Sequence, residues 1–493
     1  MVLFRPFCAL VLSAGLLALS ACTTVGPDYV LPEESVFRKE GAASEFVSAS
    51  ESAYVADELP DDWWRLYDQK VLNEVVEMAL AANTDLRIAA ANLLRAQAII
   101  DEARSMADPA FGAGAGVTYG RSATAHGTRR QADHWSYDAG LAVSYQLDLF
   151  GKIARAIEAA TADMEATRAA HDLVRITVVA DTTRAWLGIC ASGHQLAVAQ
   201  HSVSLQESVV ATTVRLEEGG RATQLDVSRA RAQLEQLKAA VPPLIAQQRT
   251  AIYQLAVLTG NLPAALPERA TECRAIPQLS RPVPVGDGAM LLSRRPDIRQ
   301  VERLLAGATA RIGVATADLY PSISLGLNVG QAGVLSSFGS GNAFHWGIGP
   351  FISWVIPATG PARARISQAE AAAQAALADF DGVVLNALKE VESALTLYAR
   401  ELDRNAALRD ARDQSALASR QAHQLYTYGR TDFLTTLDAD RTLAEFESRL
   451  AESDAQQARY LVSLFLALGG GWNAAPAEET AATAGQMVSE NND

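Results

Sequence analysis

The chain says the same thing twice. Gly151 and Gly360 lie 209 residues apart, as do Gly220 and Gly429, and the same offset matches Leu225 to Leu434, Ala230 to Ala439 and Leu234 to Leu443. One residue of drift later, Arg249 matches Arg459, Leu258 matches Leu468 and Gly260 matches Gly470. A duplicated unit of this size folds more readily as one pseudo-symmetric body than as two separate domains. It therefore overrides the prior of about three domains that 493 residues would suggest. Each half has the order helix, two short strands, long helix, Gly-bearing turn, helix. A Pro-rich connector joins them through Pro263, Pro267, Pro277, Pro282 and Pro284, as suits irregular chain. The halves are expected at 61–270 and 271–472, with an extended segment at 22–60. A tail at 473–493, rich in Ala, Glu and Thr without periodicity, reads as disordered.

The strand pairs carry a period of two. Phe111, Ala113, Ala115, Val117 and Tyr119 point one way, while Gly112, Gly114, Gly116, Thr118 and Gly120 point the other. Tyr137, Ala139, Leu141, Val143, Tyr145 and Leu147 alternate with Asp138, Gly140, Ala142, Ser144 and Gln146. In the second half Ile323, Leu325, Leu327 and Val329 oppose Ser324, Gly326, Asn328 and Gly330, and Trp346, Ile348, Ile352 and Trp354 share a face of the last strand. Strands of about ten residues, apolar on one side and small or polar on the other, fit a transmembrane barrel. A soluble sheet with one wet face gives the same alternation, and the secretion signal below favours the membrane. Four strands cannot close a barrel, since the smallest have about eight, and open edges cannot face lipid. Copies must pool their strands: two would give 8 and three would give 12. The small lumen-facing residues favour the wider barrel, which leaves an aqueous passage.

From Lys152 to about Glu218 only Gly188 and Gly193 interrupt helix-compatible sequence, and from Pro361 to Tyr428 only Gly382 does. Such a helix spans roughly 100 Å, a length that implies coiled-coil packing. Each turns at Gly220 or Gly429, where Gly suits a left-handed C-cap, and returns through Leu225–Leu258 or Leu434–Leu468. Val241-Pro242-Pro243 is expected to kink or break the first return helix.

Charge and composition exclude several classes. With 42 Lys+Arg against 56 Asp+Glu the net charge is −14, and no basic stripe exists to neutralise nucleic-acid phosphates. After the N-terminus no run reaches the roughly 18 apolar residues of a spanning helix, so a multi-helix membrane transporter is out. There is no Walker loop, HExxH or GxSxG, and the seven histidines (126, 134, 171, 194, 201, 345, 423) are scattered. His194 and His201 share a face but stand too far apart for one metal ion. Strand alternation explains the Gly112-x-Gly114-x-Gly116 run better than a nucleotide site does. No enzyme, cofactor or metal is expected.

The first residues are an address. Arg5, the apolar run Phe7 to Leu19 and then Leu19-Ser20-Ala21-Cys22 read as a secretory signal over 1–21. The Cys directly after small residues is similar to the bacterial lipobox, which makes Cys22 the acylated mature N-terminus; Thr23, not Asp, follows it. This implies the outer membrane, with the body of the chain in the periplasm. Cys190 and Cys273 remain as two thiols in an oxidising compartment, either paired or buried and free.

Together these motifs resemble the TolC-like outer-membrane factors, in the NodT/OprM-type lipoprotein branch. The matching residues are Cys22-x3-Gly26-Pro27-Asp28-Tyr29, Asp62-Trp63-Trp64, Asn83-Thr84-Asp85-Leu86, Leu147-Asp148-Leu149-Phe150-Gly151 and Arg294-Arg295-Pro296-Asp297. Ile312-Gly313-Val314-Ala315, Leu437-Asp438-Ala439 with Arg441, and Ala467-Leu468-Gly469-Gly470-Gly471-Trp472 complete the set. Singly each is weak; in this order, across about 22–472, they are specific. The resemblance implies a mainly α chain with a small transmembrane β part. As a homotrimer it would form a 12-helix tunnel under a shared 12-strand barrel. It further implies the passive exit duct of a tripartite efflux pump, with a periplasmic adaptor and a proton-driven inner-membrane transporter as partners. An exit duct for type I protein secretion has the same architecture and is the alternative.

Family matching places the closing constriction on Leu434, Asp438 and Arg441, one stripe at i, i+4 and i+7. Three copies would form an apolar ring with an acidic ring one turn above, and Asp438 and Arg441 could pair within or between subunits. A solvated i, i+3 pair alone is worth about 0.2–0.5 kcal/mol. The first-half counterparts are Leu225, Arg229 and Ala232, so the acidic ring should be threefold and not sixfold. The turns Gly220-Arg221-Ala222-Thr223 and Gly429-Arg430-Thr431-Asp432 would be both helix caps and adaptor-docking tips. Cys190 lies about 30 residues above its turn, roughly 45 Å, and the return helix brings Cys273 to comparable height, so a Cys190–Cys273 disulfide is within reach.

Overall fold

The computed structural model describes residues 24–50, 53–121, 133–279, 281–354 and 359–470. The signal, Cys22 and the tail at 473–493 lie outside the described residues. Helices α1 (Lys70–Ala82) and α2 (Thr84–Ser105) precede strands β1 (Ala110–Gly120) and β2 (His134–Leu147), then α3 (Lys152–Glu218) and α4 (Gln224–Leu258). After a one-turn α5 (Glu268–Thr271), the order repeats as α6 (Gly288–Arg294), α7 (Pro296–Ala317), β3 (Ser322–Val334), β4 (Phe344–Ser353), α8 (Thr359–Thr427) and α9 (Phe433–Ala467). Both halves thus open with two helices where the sequence suggested one.

The compact units are not the repeats. One takes the chain up to Glu33 with Asn92–Arg168 and Gln300–Phe380; the other takes Glu34–Ala91, Ala169–Arg299 and the chain from Asp381 onward. Each draws matching pieces from both halves.

The first unit holds a four-stranded antiparallel sheet in the order β1-β2-β3-β4. Its register carries one face across all four strands. Ala113 opposes Leu141, Leu141 opposes Val329, and Val329 opposes Trp346. Phe111, Val143, Leu327 and Ile348 form the next row. A one-residue slip would turn every one of these side chains over, so the pattern fixes the pairing. The opposite face carries Gly112, Ala142, Asn328 and Gly347 in register. Phe351, opposite Ser324, is the large exception there. The apolar face lies bare: Phe111 is 81% exposed, Trp346 68% and Leu141 59%. Among the described residues β1 pairs only with β2 and β4 only with β3, which leaves one unpaired edge on each.

The second unit is built on the main core. Trp63 is fully buried and its ring stands 4.6 Å from that of Phe465. Leu72, Val76, Ile189, Leu255, Leu395 and Leu464 are buried in the same cluster. A short parallel pairing of Tyr54–Val55 with Val283–Pro284 ties the N-terminal segment to the connector. Several motifs are junction fittings here. Asn83 accepts from the amides of Asp85 and Leu86, capping α2, and donates to the Leu258 carbonyl at 2.9 Å. Arg295, almost buried, reaches Asp297, Glu390 and the Ala467 carbonyl. Arg294 bonds Asp61 and the Leu59 carbonyl.

Cys190 and Cys273 are disulfide-bonded, with Cα atoms 4.5 Å apart. One turn on, a Cβ at Gly193 would come within 2.1 Å of the Cys273 carbonyl oxygen, so the connector crosses α3 where only Gly admits it.

Pro242 and Pro243 do not break the return helix: α4 runs unbroken across them. Proline removes two ladder bonds, but the carbonyls it orphans belong to Lys238 and Ala239, both exposed, where water serves them. Buried side chains pin the helix on either side, Ala230, Gln233 and Leu234 before and Leu255, Ala256 and Leu258 after.

No helix of the described residues is long and apolar enough to cross a membrane.

Candidate functional site

Two helical hairpins end in the same turn built twice. Gly220 and Gly429 both have φ of +68°, a conformation that L side chains resist. The Arg221 amide donates to the Leu216 carbonyl at 2.7 Å, and the Arg430 amide to the Leu425 carbonyl at 2.8 Å. This is the Schellman closure, which satisfies carbonyls left over at the helix end. The next helix starts at once. Thr223 caps α4 by accepting from the Asp226 amide, while the Asp226 carboxylate accepts from the Thr223 amide in return. Asp432, 209 residues later, caps α9 by accepting from the Thr435 amide at 2.8 Å. The Thr435 hydroxyl and amide hold the Asp432 carboxyl below the usual carboxylate range. Arg221 and Arg430 are left exposed at the tips.

Past the turns, burial divides each return helix in two. Phe433 and Leu437 of α9 meet Ala230 of α4, with Val209, Val210 and Tyr426 around them. The Tyr426 and Phe433 rings lie 5.9 Å apart. Leu434, Asp438 and Arg441 are on the other side of α9 and exposed, Leu434 by 49%. The first-half counterparts Leu225, Arg229 and Ala232 are exposed too, Leu225 by 57%. Among the described residues the stripe is thus largely open to solvent.

Of the two pairings open to Asp438 and Arg441, within or between subunits, the one within the chain is not formed among the described residues. Arg441 instead donates from Nε to the Gln233 side-chain oxygen at 2.8 Å, bridging the first hairpin to the second. Gln233 is nearly buried, so its carbonyl oxygen gains more from a charged donor than Asp438, which water already solvates.

Sequence reasoning missed a polar cluster beside this stripe. His423 of α8 lies 2.9 and 3.0 Å from the two Asp440 oxygens of α9, and the Ser419 hydroxyl donates to Asp440 at 2.7 Å. The signal was there: Ser419 and His423 at i, i+4 share one helix face. These groups line a cavity of about 1080 Å³ together with His201, Glu447, Arg420 and Asp226. The hydrogen bond from Asp440 raises the His423 pKa above its usual value, burial pulling the other way. The imidazolium pairing therefore contributes fully below the unfolded pKa of about 6.5 and is lost as pH rises through the raised folded value. His423→Gln is expected to lower Tm at pH 6 and to do so less at pH 8.5. A Tm difference that does not change between those values would remove the pairing as a contributor.

No group of three or more His, Cys, Asp or Glu able to hold a metal occurs among the described residues.

Residues 75–261 and 289–470 match the outer membrane efflux protein family. The chain is 32% identical to the probable efflux pump outer membrane protein TtgC of Pseudomonas putida, over 92% of this chain and 93% of that one. It is 30% identical to the pyoverdine export outer membrane protein OpmQ of the same species, over 96% and 99%. Its fold superposes on the solved outer-membrane channel OprN with a TM-score of 0.85 and 34% identity, covering 91% of this chain and all of that one. Each matched range contains a long helix, a Schellman turn and a return helix. The chain belongs to the outer membrane efflux protein family.

Proposed function

We propose that three copies of this chain assemble into the outer-membrane exit duct of a tripartite efflux pump. Four strands per copy would close a barrel of 12, and four long helices per copy a tunnel of 12. One observation carries the reading: a sheet whose apolar face is largely bare, Tyr137 at one end excepted, and whose two edge strands pair with no further strand among the described residues. Water penalises such a face, and lipid penalises such edges. Only closure with other copies in a bilayer satisfies both. The duct is a passive conduit, and the small, polar opposite face suits a water-filled lumen. Cys22 would anchor each copy by acyl chains to the outer membrane.

The constriction would form where the Leu434, Asp438 and Arg441 stripes of three copies converge, with Arg441–Gln233 holding the hairpins together in each. The Cys190–Cys273 bond, set in the core, would pin the connector to the outgoing helix of the tunnel wall. Closing so long a loop, 83 residues, stabilises by about 4.5 kcal/mol on the chain-entropy account. A periplasmic adaptor would dock on the tips at Gly220-Arg221-Ala222-Thr223 and Gly429-Arg430-Thr431-Asp432, and a proton-driven inner-membrane transporter would supply the energy. Photo-cross-linkers at Arg221 and Arg430 test this with a co-expressed adaptor. An adduct at either tip is expected, and none at both would count against docking there.

A further inference from the structure

Three motifs that the duct does not use meet in one place. Gly26-Pro27-Asp28-Tyr29, Leu147 to Gly151 and Ile312 to Ala315 come together around the Arg155 side chain, which is only 4% exposed. Arg155 stands one turn into α3. Its Nε donates to the Val25 carbonyl at 3.1 Å, and its Nη2 to the Gly26 carbonyl at 3.2 Å and to Asp28 at 2.7 Å. Nη1 is held by Glu158 at 2.7 Å. The Val25 amide donates to the Phe150 carbonyl at 3.2 Å.

The backbones also touch. Gly26 has φ of +90°, and a Cβ there would come within 2.4 Å of the Gly313 Cα. A Cβ on Gly151 would come within 2.5 Å of the Thr24 side chain. Tyr29 closes the far end, donating to Glu302 at 3.1 Å with the Arg303 guanidinium 5.7 Å over its ring. The stretch from Thr24 to Tyr29 is thus seated between the β2–α3 junction and α7.

We propose that this seat is a clasp that sets the depth of the lipid anchor, with Arg155 as its positioning residue. The partner it takes is the chain's own acylated N-terminal segment. Cys22 is two residues from Thr24, so an acyl group on it is tethered within about 7 Å of the seat. The seat itself adjoins the end of β2, whose last residue, Leu147, opposes Ile323 at the edge of the apolar face. An anchor held at this level and a sheet held in the bilayer then require the same position of the chain, so each stabilises the other. A free leash of ten residues would impose no such coupling. The inference rests on the lipoprotein reading of Cys22.

The test is a cycle of four full-length proteins in outer membranes: wild type, Arg155→Leu, an unacylated chain (Cys22→Ser behind an ordinary cleavable signal) and the double variant. Incorporation of labelled palmitate reports acylation, and limited proteolysis with mass spectrometry reports cleavage between Thr24 and Arg38. Oligomer melting in detergent reports stability. Arg155→Leu should be labelled like wild type. Its N-terminal segment should be cleaved at least about tenfold faster, because three guanidinium bonds to that segment are lost. The rise in oligomer melting temperature that acylation confers should be present with Arg155 and largely gone without it. An equal rise in both backgrounds overturns the clasp. Should Arg155→Leu fail to accumulate, Asp28→Asn, an exposed carboxylate with one contact, carries the same cycle with a smaller expected effect. Absence of palmitate label on wild type instead defeats the lipoprotein reading, and continued protection of Thr24–Tyr29 in that case makes the seat a plain structural latch.

Discussion

Leu141→Arg is expected to abolish stable oligomers in the outer membrane, whereas Ala142→Arg, one residue on, is expected to leave them assembled. Leu141 sits mid-strand on the apolar face, between Ala113 and Val329. An arginine at the bilayer midplane of a barrel costs about 2–4 kcal/mol, and a shared barrel would carry one per copy. Ala142 lies on the opposite face between Gly112 and Asn328, where a long cation would extend into water. The fraction of SDS-resistant oligomer before boiling measures both. Equal tolerance of the two substitutions would mean that the faces are assigned wrongly.

The second large effect concerns the constriction. Asp438→Ala with Arg441→Ala should raise the closed-state conductance of single channels in planar bilayers. Removal of the part-buried Arg441–Gln233 bond loses about 0.5–1.5 kcal/mol per copy. Three copies acting together move the closed-to-open balance by at least about tenfold, at 1.4 kcal/mol per decade. Because Arg441 bonds Gln233 and not Asp438, Gln233→Leu should reproduce the effect of Arg441→Ala alone. Unchanged closed-state conductance in the double variant would withdraw the gate from this stripe.

Much of this was legible in the sequence, for reasons that differ by element. The strand faces could be read because the side-chain period is two and the apolar residues keep it through Leu147 and again from Ile323. The turns could be read because Gly220 and Gly429 recur at the repeat offset, each followed by a capping residue. What stayed hidden depends on partners remote in sequence. The bond from Arg155 to Val25 spans 130 residues and that from Arg441 to Gln233 spans 208, and no local pattern announces either. Asp438 is a nearer and more obvious partner for Arg441, and spacing alone would choose it. Pro242-Pro243 leave α4 unbroken for a related reason. The local rule against proline holds, but burial on both sides of the pair and solvent beside it outweigh two missing bonds.

The account stands on the need of one chain's sheet for others to close its edges. Native mass spectrometry of the particle released from outer membranes in mild detergent, without boiling, counts the chains directly. Three per particle is the expected result. A stable single chain, its β1 and β4 edges shielded from exchange with no second copy present, would contradict it.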